Sequence, residues 1–150
     1  MTVTFFGHRR TPDSVKPLLK ETLRELIEKD RADMFYVGNE GSFDWMVYDT
    51  LKELKTEYPF ISYKVVLAYL EKRKKDIKNF SPSETIFPEE LIKTPLRFAI
   101  VKRNNIMLRY ADTVVTYVES PGGAADFKRL AEDRGKRVIN LYKRKSVFPV

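Results

Sequence analysis

Three short loops carry the residues best suited to chemistry. They are Gly7-His8-Arg9-Arg10, Gly38-Asn39-Glu40-Gly41-Ser42 with Asp44 just beyond, and Ser120-Pro121-Gly122-Gly123. The third follows an apolar, β-branched run from Thr113 to Val118 and precedes Phe127, Leu130 and Ala131 at helical spacing. Paired glycines between a strand and a helix leave the first N–H groups of the helix open to an anion. Gly122 and Gly123, with the N–H groups of Ala124 and Ala125, could therefore hold a phosphate; a tight turn without a ligand is the alternative. Gly38 and Gly41 allow close approach of backbone to a ligand, and Ser42 could donate its hydroxyl. Arg9, Arg10 or Arg103 could pair bidentately with a second phosphate. Asp44 could accept from ribose hydroxyls or cap the helix that follows it. Asn104 falls within an apolar helical stripe, where an amide needs a partner. His8, the one histidine, reads either as a donor fixing its loop or as a catalyst. Glu40 and Glu119 are carboxylates able to stabilise an oxocarbenium-like centre, as in two-carboxylate glycosidases; Glu40 is otherwise an exposed turn residue.

The elements that must position these loops follow from hydrophobic periodicity. Thr2 to Phe6, Ala32 to Val37, Ser62 to Tyr69, Thr113 to Val118 and Arg137 to Leu141 read as strands. Val15 to Ile27 and Phe43 to Tyr58 carry amphipathic helical stripes, the first with Thr11 or Asp13 as cap and the second ended by Pro59. A helix is expected from Thr94-Pro95 to about Ala111, and another after Gly123 that stops at Gly135. Residues 71–93 break the rhythm and read as a long loop with a short helix: a lid, an insertion or a subunit contact. Alternating strands and helices imply an α/β, Rossmann-like, doubly wound three-layer sandwich. Its mainly parallel sheet of five strands would run in the order 3-2-1-4-5 within one domain spanning 1–150. In such a sheet the crevice lies at the carboxyl ends of the strands where their order reverses. The Gly7-His8-Arg9 loop and the Ser120 to Gly123 loop would flank it, with Gly38 to Gly41 beside them.

Composition narrows the function classes. A chain of 150 residues with 43% hydrophobic and 33% charged residues is of ordinary globular type. Without cysteine and with a single histidine, neither a disulfide framework nor a transition-metal site is expected. The first residues lack the basic lead and long apolar run of a signal peptide, and no run approaches membrane-spanning length, so a cytoplasmic protein is expected. The net charge of +7 would attract a polyanion, whether nucleotide or nucleic acid. Its short basic runs are Lys72-Arg73-Lys74-Lys75, Lys102-Arg103 and Lys143-Arg144-Lys145. No G-x-G-x-x-G, G-x-x-x-x-G-K-[ST] or G-x-S-x-G motif occurs, which excludes the ordinary dinucleotide dehydrogenase, P-loop and nucleophile-elbow classes.

Four stretches in order carry a resemblance. Phe5-Phe6-Gly7-His8-Arg9 looks like an "FTGHR" first-strand exit, and Gly38-Asn39-Glu40-Gly41-Ser42-Phe43-Asp44 like a glycine-rich second loop with a trailing Asp. Arg103-Asn104-Asn105-Ile106-Met107, ahead of Ala111-Asp112, is similar to an "RNxxM" helix, and Ser120-Pro121-Gly122-Gly123 to phosphate-loop glycines. Together they resemble the SLOG superfamily, the Rossmann-like group that includes DNA-processing protein A and the LONELY GUY phosphoribohydrolases, and within it the short bacterial YpsA-like members. The resemblance implies a pocket for a nucleotide or nucleotide-derived sugar, such as ADP-ribose or an NAD-related product, in a sensor or ligand-sequestering protein with no further cofactor. Arg9 and Arg103 would be counter-charges and Asn104 would brace the loops. The phosphoribohydrolase motif P-G-G-x-G-T-x-x-E is incomplete, since Gly123 is followed by Ala124-Ala125-Asp126-Phe127, which counts against that hydrolase chemistry. Two alternatives stand: an N-glycosidase or deoxyribosyltransferase-like enzyme using Glu40, and a protein that binds single-stranded DNA through the basic runs. Self-association is expected through Phe80 to Phe87 or Phe148-Pro149-Val150.

Overall fold

The computed structural model describes residues 1–70 and 80–144. The run Lys72 to Lys75, Lys145 and the end Phe148 to Val150 lie outside the described residues. At the centre is β1 (Thr2–Gly7), buried between β2 (Met34–Val37) and β5 (Thr113–Tyr117), with Phe5 opposite Val115 and Gly7 opposite Tyr117. β3 (Ser62–Val66) extends the sheet beyond β2, and β6 (Arg137–Asn140) beyond β5. Among the described residues all pairings are parallel, and the six strands run in the order β4-β3-β2-β1-β5-β6.

Side-chain alternation along each strand sorts the core into two layers. Val3, Phe5, Val37, Val65 and Val115 pack with Leu19, Leu23 and Leu26 of α1 (Lys16–Asp30) and with Val47 and Leu51 of α2 (Ser42–Glu57). On the other face Phe6, Val66 and Val114 meet Met107 and Leu108 of α3 (Ala99–Tyr110) and Phe127 and Ala131 of α4 (Gly123–Asp133). The chain thus winds one way from β1 to β4 and the other way through β5 and β6. Its strand order reverses between β1 and β5, where the crevice is expected.

The structure differs from the sequence reading in several places. β4 (Thr85–Ile86) adds a sixth, two-residue edge strand beside β3. Of the segment 71–93, residues 71–79 lie outside the described residues; the described part carries two 3₁₀ turns, at Pro82–Glu84 and Glu89–Leu91. Within the described part, Thr85–Ile86 lies at the sheet edge beside β3. Phe80 is buried, stacked on Trp45 at 5.2 Å and edge-on to Tyr48 at 4.8 Å, while the Tyr48 hydroxyl donates to Glu84 at 2.5 Å. Phe80 is therefore committed to α2 of its own chain rather than to a subunit contact.

Neither expected cap forms. The Thr11 hydroxyl donates to His8 O at 2.8 Å, closing the β1 exit loop, so Asp13–Val15 is a 3₁₀ turn and α1 begins at Lys16. Likewise Thr94 donates to Glu90 O, Pro95 precedes a 3₁₀ turn at Leu96–Phe98, and α3 begins at Ala99. Among the described residues, no helix is long and apolar enough to cross a membrane.

Candidate ligand cleft at the strand reversal

A cleft of about 350 Å³ opens where the strand order turns, lined by Phe5 to Arg9, Glu40, Asp44, Ile100, Arg103, Asn104, Met107, Gly123 and Ala124. Four separate parts of the chain therefore face one hollow: the β1 exit, the β2–α2 loop, one face of α3 and the start of α4.

The β1 exit is pinned from both sides. His8 Nε2 accepts from the Glu119 N–H at 2.9 Å, and the His8 N–H donates to Tyr117 O at 3.3 Å. His8 thus ties the β1 exit to the β5 exit as an acceptor, which places its ring proton on Nδ1. Its neighbour Arg9 is exposed, with Nη2 3.9 Å from a Glu40 carboxylate oxygen. Arg10 is exposed as well.

The β2–α2 loop is shaped by close approaches. Gly41 has φ 93°, and a Cβ there would meet the Arg9 backbone at 2.6 Å, so only glycine fits. At Gly38 a Cβ would stand 2.9 Å from both the Arg103 guanidinium and the Asp44 carboxylate, which therefore lie together over this glycine. Ser42 faces away from the cleft: its hydroxyl accepts from the Thr11 N–H at 2.7 Å and donates to Thr11 O at 3.3 Å. Asp44 is buried in the first turn of α2 and accepts from the Glu40 N–H at 2.8 Å. Burial pushes its carboxyl up to about 6, and the Glu40 charge adds to this. The Arg103 guanidinium, the Glu40 N–H bond and Arg9 pull the other way without cancelling it. A carboxyl poised there can hold or release a proton near neutrality.

Arg103 is 2% exposed and among the largest fully buried side chains. Its Nη1 donates to Val66 O at 3.0 Å and Asn39 Oδ1 at 3.3 Å, and its Nε donates to Asn104 Oδ1 at 2.8 Å. It joins the β2 and β3 exits to α3, and Asn104, which accepts from it, also lines the cleft.

At the β5 exit, Gly122 is the N-cap of α4 with φ 148°, and the positions a Cβ would take at Gly122 and Gly123 have nothing within 4 Å. Gly123 and Ala124 line the cleft, whereas Ser120, Gly122 and Glu119 are exposed and outside its lining. Two contributors escape a reading of the sequence. Asn39 is buried beneath Arg103. Asn140, from β6, accepts from the Val118 N–H at 3.0 Å and donates to Val118 O at 2.9 Å, fixing the β5 exit. The only signal for Asn39 was a short amide between glycines; Asn140 had none. Among the described residues, no cluster of His, Cys, Asp and Glu could hold a metal ion.

A parallel sheet wound in both directions, with its cleft at the reversal, makes this a Rossmann-like α/β protein. Among solved structures it is similar to DNA processing protein A from Helicobacter pylori, a structure described for a single-stranded DNA binding mode. The match has a TM-score of 0.63 and 15% identity, covering 92% of this chain and 63% of that one. At that identity the likeness is one of fold. No protein-family model matches the chain, and no curated protein does.

Proposed function

We propose that this protein binds a nucleotide or nucleotide-derived sugar, of the ADP-ribose or NAD-related kind, in the cleft between β1 and β5, as a YpsA-like member of the SLOG group. The observation that carries the reading is the open space at Gly123, which with Ala124 starts an 11-residue helix and lines the same hollow as the β1 and β2 exits. Backbone N–H groups at a helix start favour phosphate. Arg9, exposed at the rim, supplies a second positive group, and Glu40 and Asp44 supply acceptors for sugar hydroxyls.

Calorimetry with ADP-ribose, NAD and AMP tests it, using wild type and Gly123→Leu. A leucine at 123 has room to fold yet occupies the anion's place. Binding to wild type of at least one ligand, lost in the variant, supports the reading; no heat from any of the three sinks it.

A second reading, binding of single-stranded DNA, is favoured by the structural likeness to DNA processing protein A and by the net charge of +7. It requires tight oligonucleotide binding that weakens steeply with salt.

A further inference from the structure

We infer that Asn104 reads the nucleobase of the bound ligand, donating to an acceptor on the base edge, and that Arg103 acts through it as a positioning residue. This rests on the nucleotide reading of the cleft and assigns the ends of the ligand within it.

A guanidinium has only donors. Because Arg103 Nε donates to Asn104 at 2.8 Å, the side chain atom facing it must be the amide oxygen. The amide orientation is fixed by chemistry, and the NH₂ group points away from Arg103. Arg103 cannot turn to suit another arrangement, since Val66 O and Asn39 Oδ1 hold its Nη1. Among the described residues, no protein acceptor is bonded to Asn104 Nδ2, and the side chain lines the cleft. The cleft is thus offered two N–H donors in a fixed direction.

The surroundings say what kind of group they would meet. Ile100, Asn104 and Met107 lie at i, i+4 and i+7, one face of α3, and all three line the cleft. Apolar side chains on either side of a donor suit a flat, largely apolar ring with an acceptor on its rim, not a charged phosphate or a hydroxyl-rich sugar. The phosphate-favouring amides of Gly123 and Ala124 belong to α4, a different wall. The base then lies against α3, the phosphate against α4, and the sugar between them, within reach of Glu40 and Asp44.

The test compares AMP with ribose 5-phosphate, which has the same phosphate and sugar but no base. Their affinities are measured by calorimetry, with displacement of AMP reporting the weaker ligand. In wild type AMP binds more tightly. Asn104→Ala should cut the ratio of the two affinities at least about tenfold while leaving ribose 5-phosphate within about twofold. Asn104→Asp keeps the oxygen that Arg103 needs but replaces the donor. The same fall in ratio is expected there, and the added charge acts on both phosphates alike. In Arg103→Lys a single nitrogen replaces the separate Nε and Nη1 that reach Asn104 on one side and Val66 O and Asn39 on the other. This variant should lower the same ratio, and combined with Asn104→Ala it should lower it no further than Asn104→Ala alone. A merely structural arginine would weaken both ligands equally. An unchanged ratio in both Asn104 variants overturns the inference and leaves the nucleotide cleft standing. Failure of wild type to bind either ligand overturns both.

Discussion

Burial of Asp44 beside Glu40 couples the cleft to pH. The unfolded chain releases this proton near the ordinary value of 3.8 and the folded chain near about 6, so in between the folded state holds the extra proton. The contribution is full below about pH 4 and is lost as pH rises through about 6. The amount is about 3 kcal/mol from the two-unit difference. Asp44→Asn keeps an acceptor for the Glu40 N–H and cannot ionise. Urea unfolding of both proteins should therefore show the variant gaining on wild type between pH 4 and 7; parallel stability profiles would show that the carboxyl ionises normally in the fold. Gly38→Ala is expected to cost about 1–3 kcal/mol, since its Cβ would press on Arg103 and Asp44 at 2.9 Å. Ala at 38 with wild-type stability would mean that the pair can move apart freely.

At the scale of elements, what could be read from sequence was what local pattern encodes. β1, β2, β3, β5 and β6 announce themselves by apolar runs, and the exits of β1, β2 and β5 by glycine, because a buried strand and a turn with positive φ or close backbone approach each restrict residue type at the position itself. The β4 strand has only Thr85 and Ile86, too short for any periodicity. It is held by the distant contacts of Phe80 with Trp45 and Tyr48. The same limit hid the role of Arg103, whose partners Asn39 and Val66 are 64 and 37 residues away. The glycine loops that converge on the cleft were visible; the buried brace beneath them was not. Phe80→Ala should cost about 3–5 kcal/mol and quench or shift the emission of Trp45, the one tryptophan. An unaltered spectrum would mean the edge segment is not anchored there. At the end of α1, Arg31 is exposed and held at φ 58°, where glycine is the favoured residue. Arg31→Gly is expected to raise stability by about 0.5–1 kcal/mol, measured by urea midpoint at constant m.

For the whole molecule, the question that separates the two readings is how many charges the ligand brings. ADP-ribose carries two phosphate groups, so its affinity should fall with salt along a slope no steeper than about −2. An oligonucleotide touching five phosphates would follow about −3.5. Among the described residues, Lys16, Lys20, Arg24, Lys128 and Arg137 are each paired with a carboxylate away from the cleft. The cleft itself holds Glu40 and Asp44 beside its two arginines. A field so divided suits a compact ligand with acceptors and hydroxyls to satisfy more than a long polyanion. At a hundredfold excess over Kd, ADP-ribose should add about 2.7 kcal/mol, a rise in Tm of roughly 5–10 °C for a chain of this size. Gly123→Leu should fold with near-wild-type stability and show no such rise. A steep salt slope with oligonucleotide, together with a flat response to ADP-ribose in wild type, would move the function from the cleft to the basic surface.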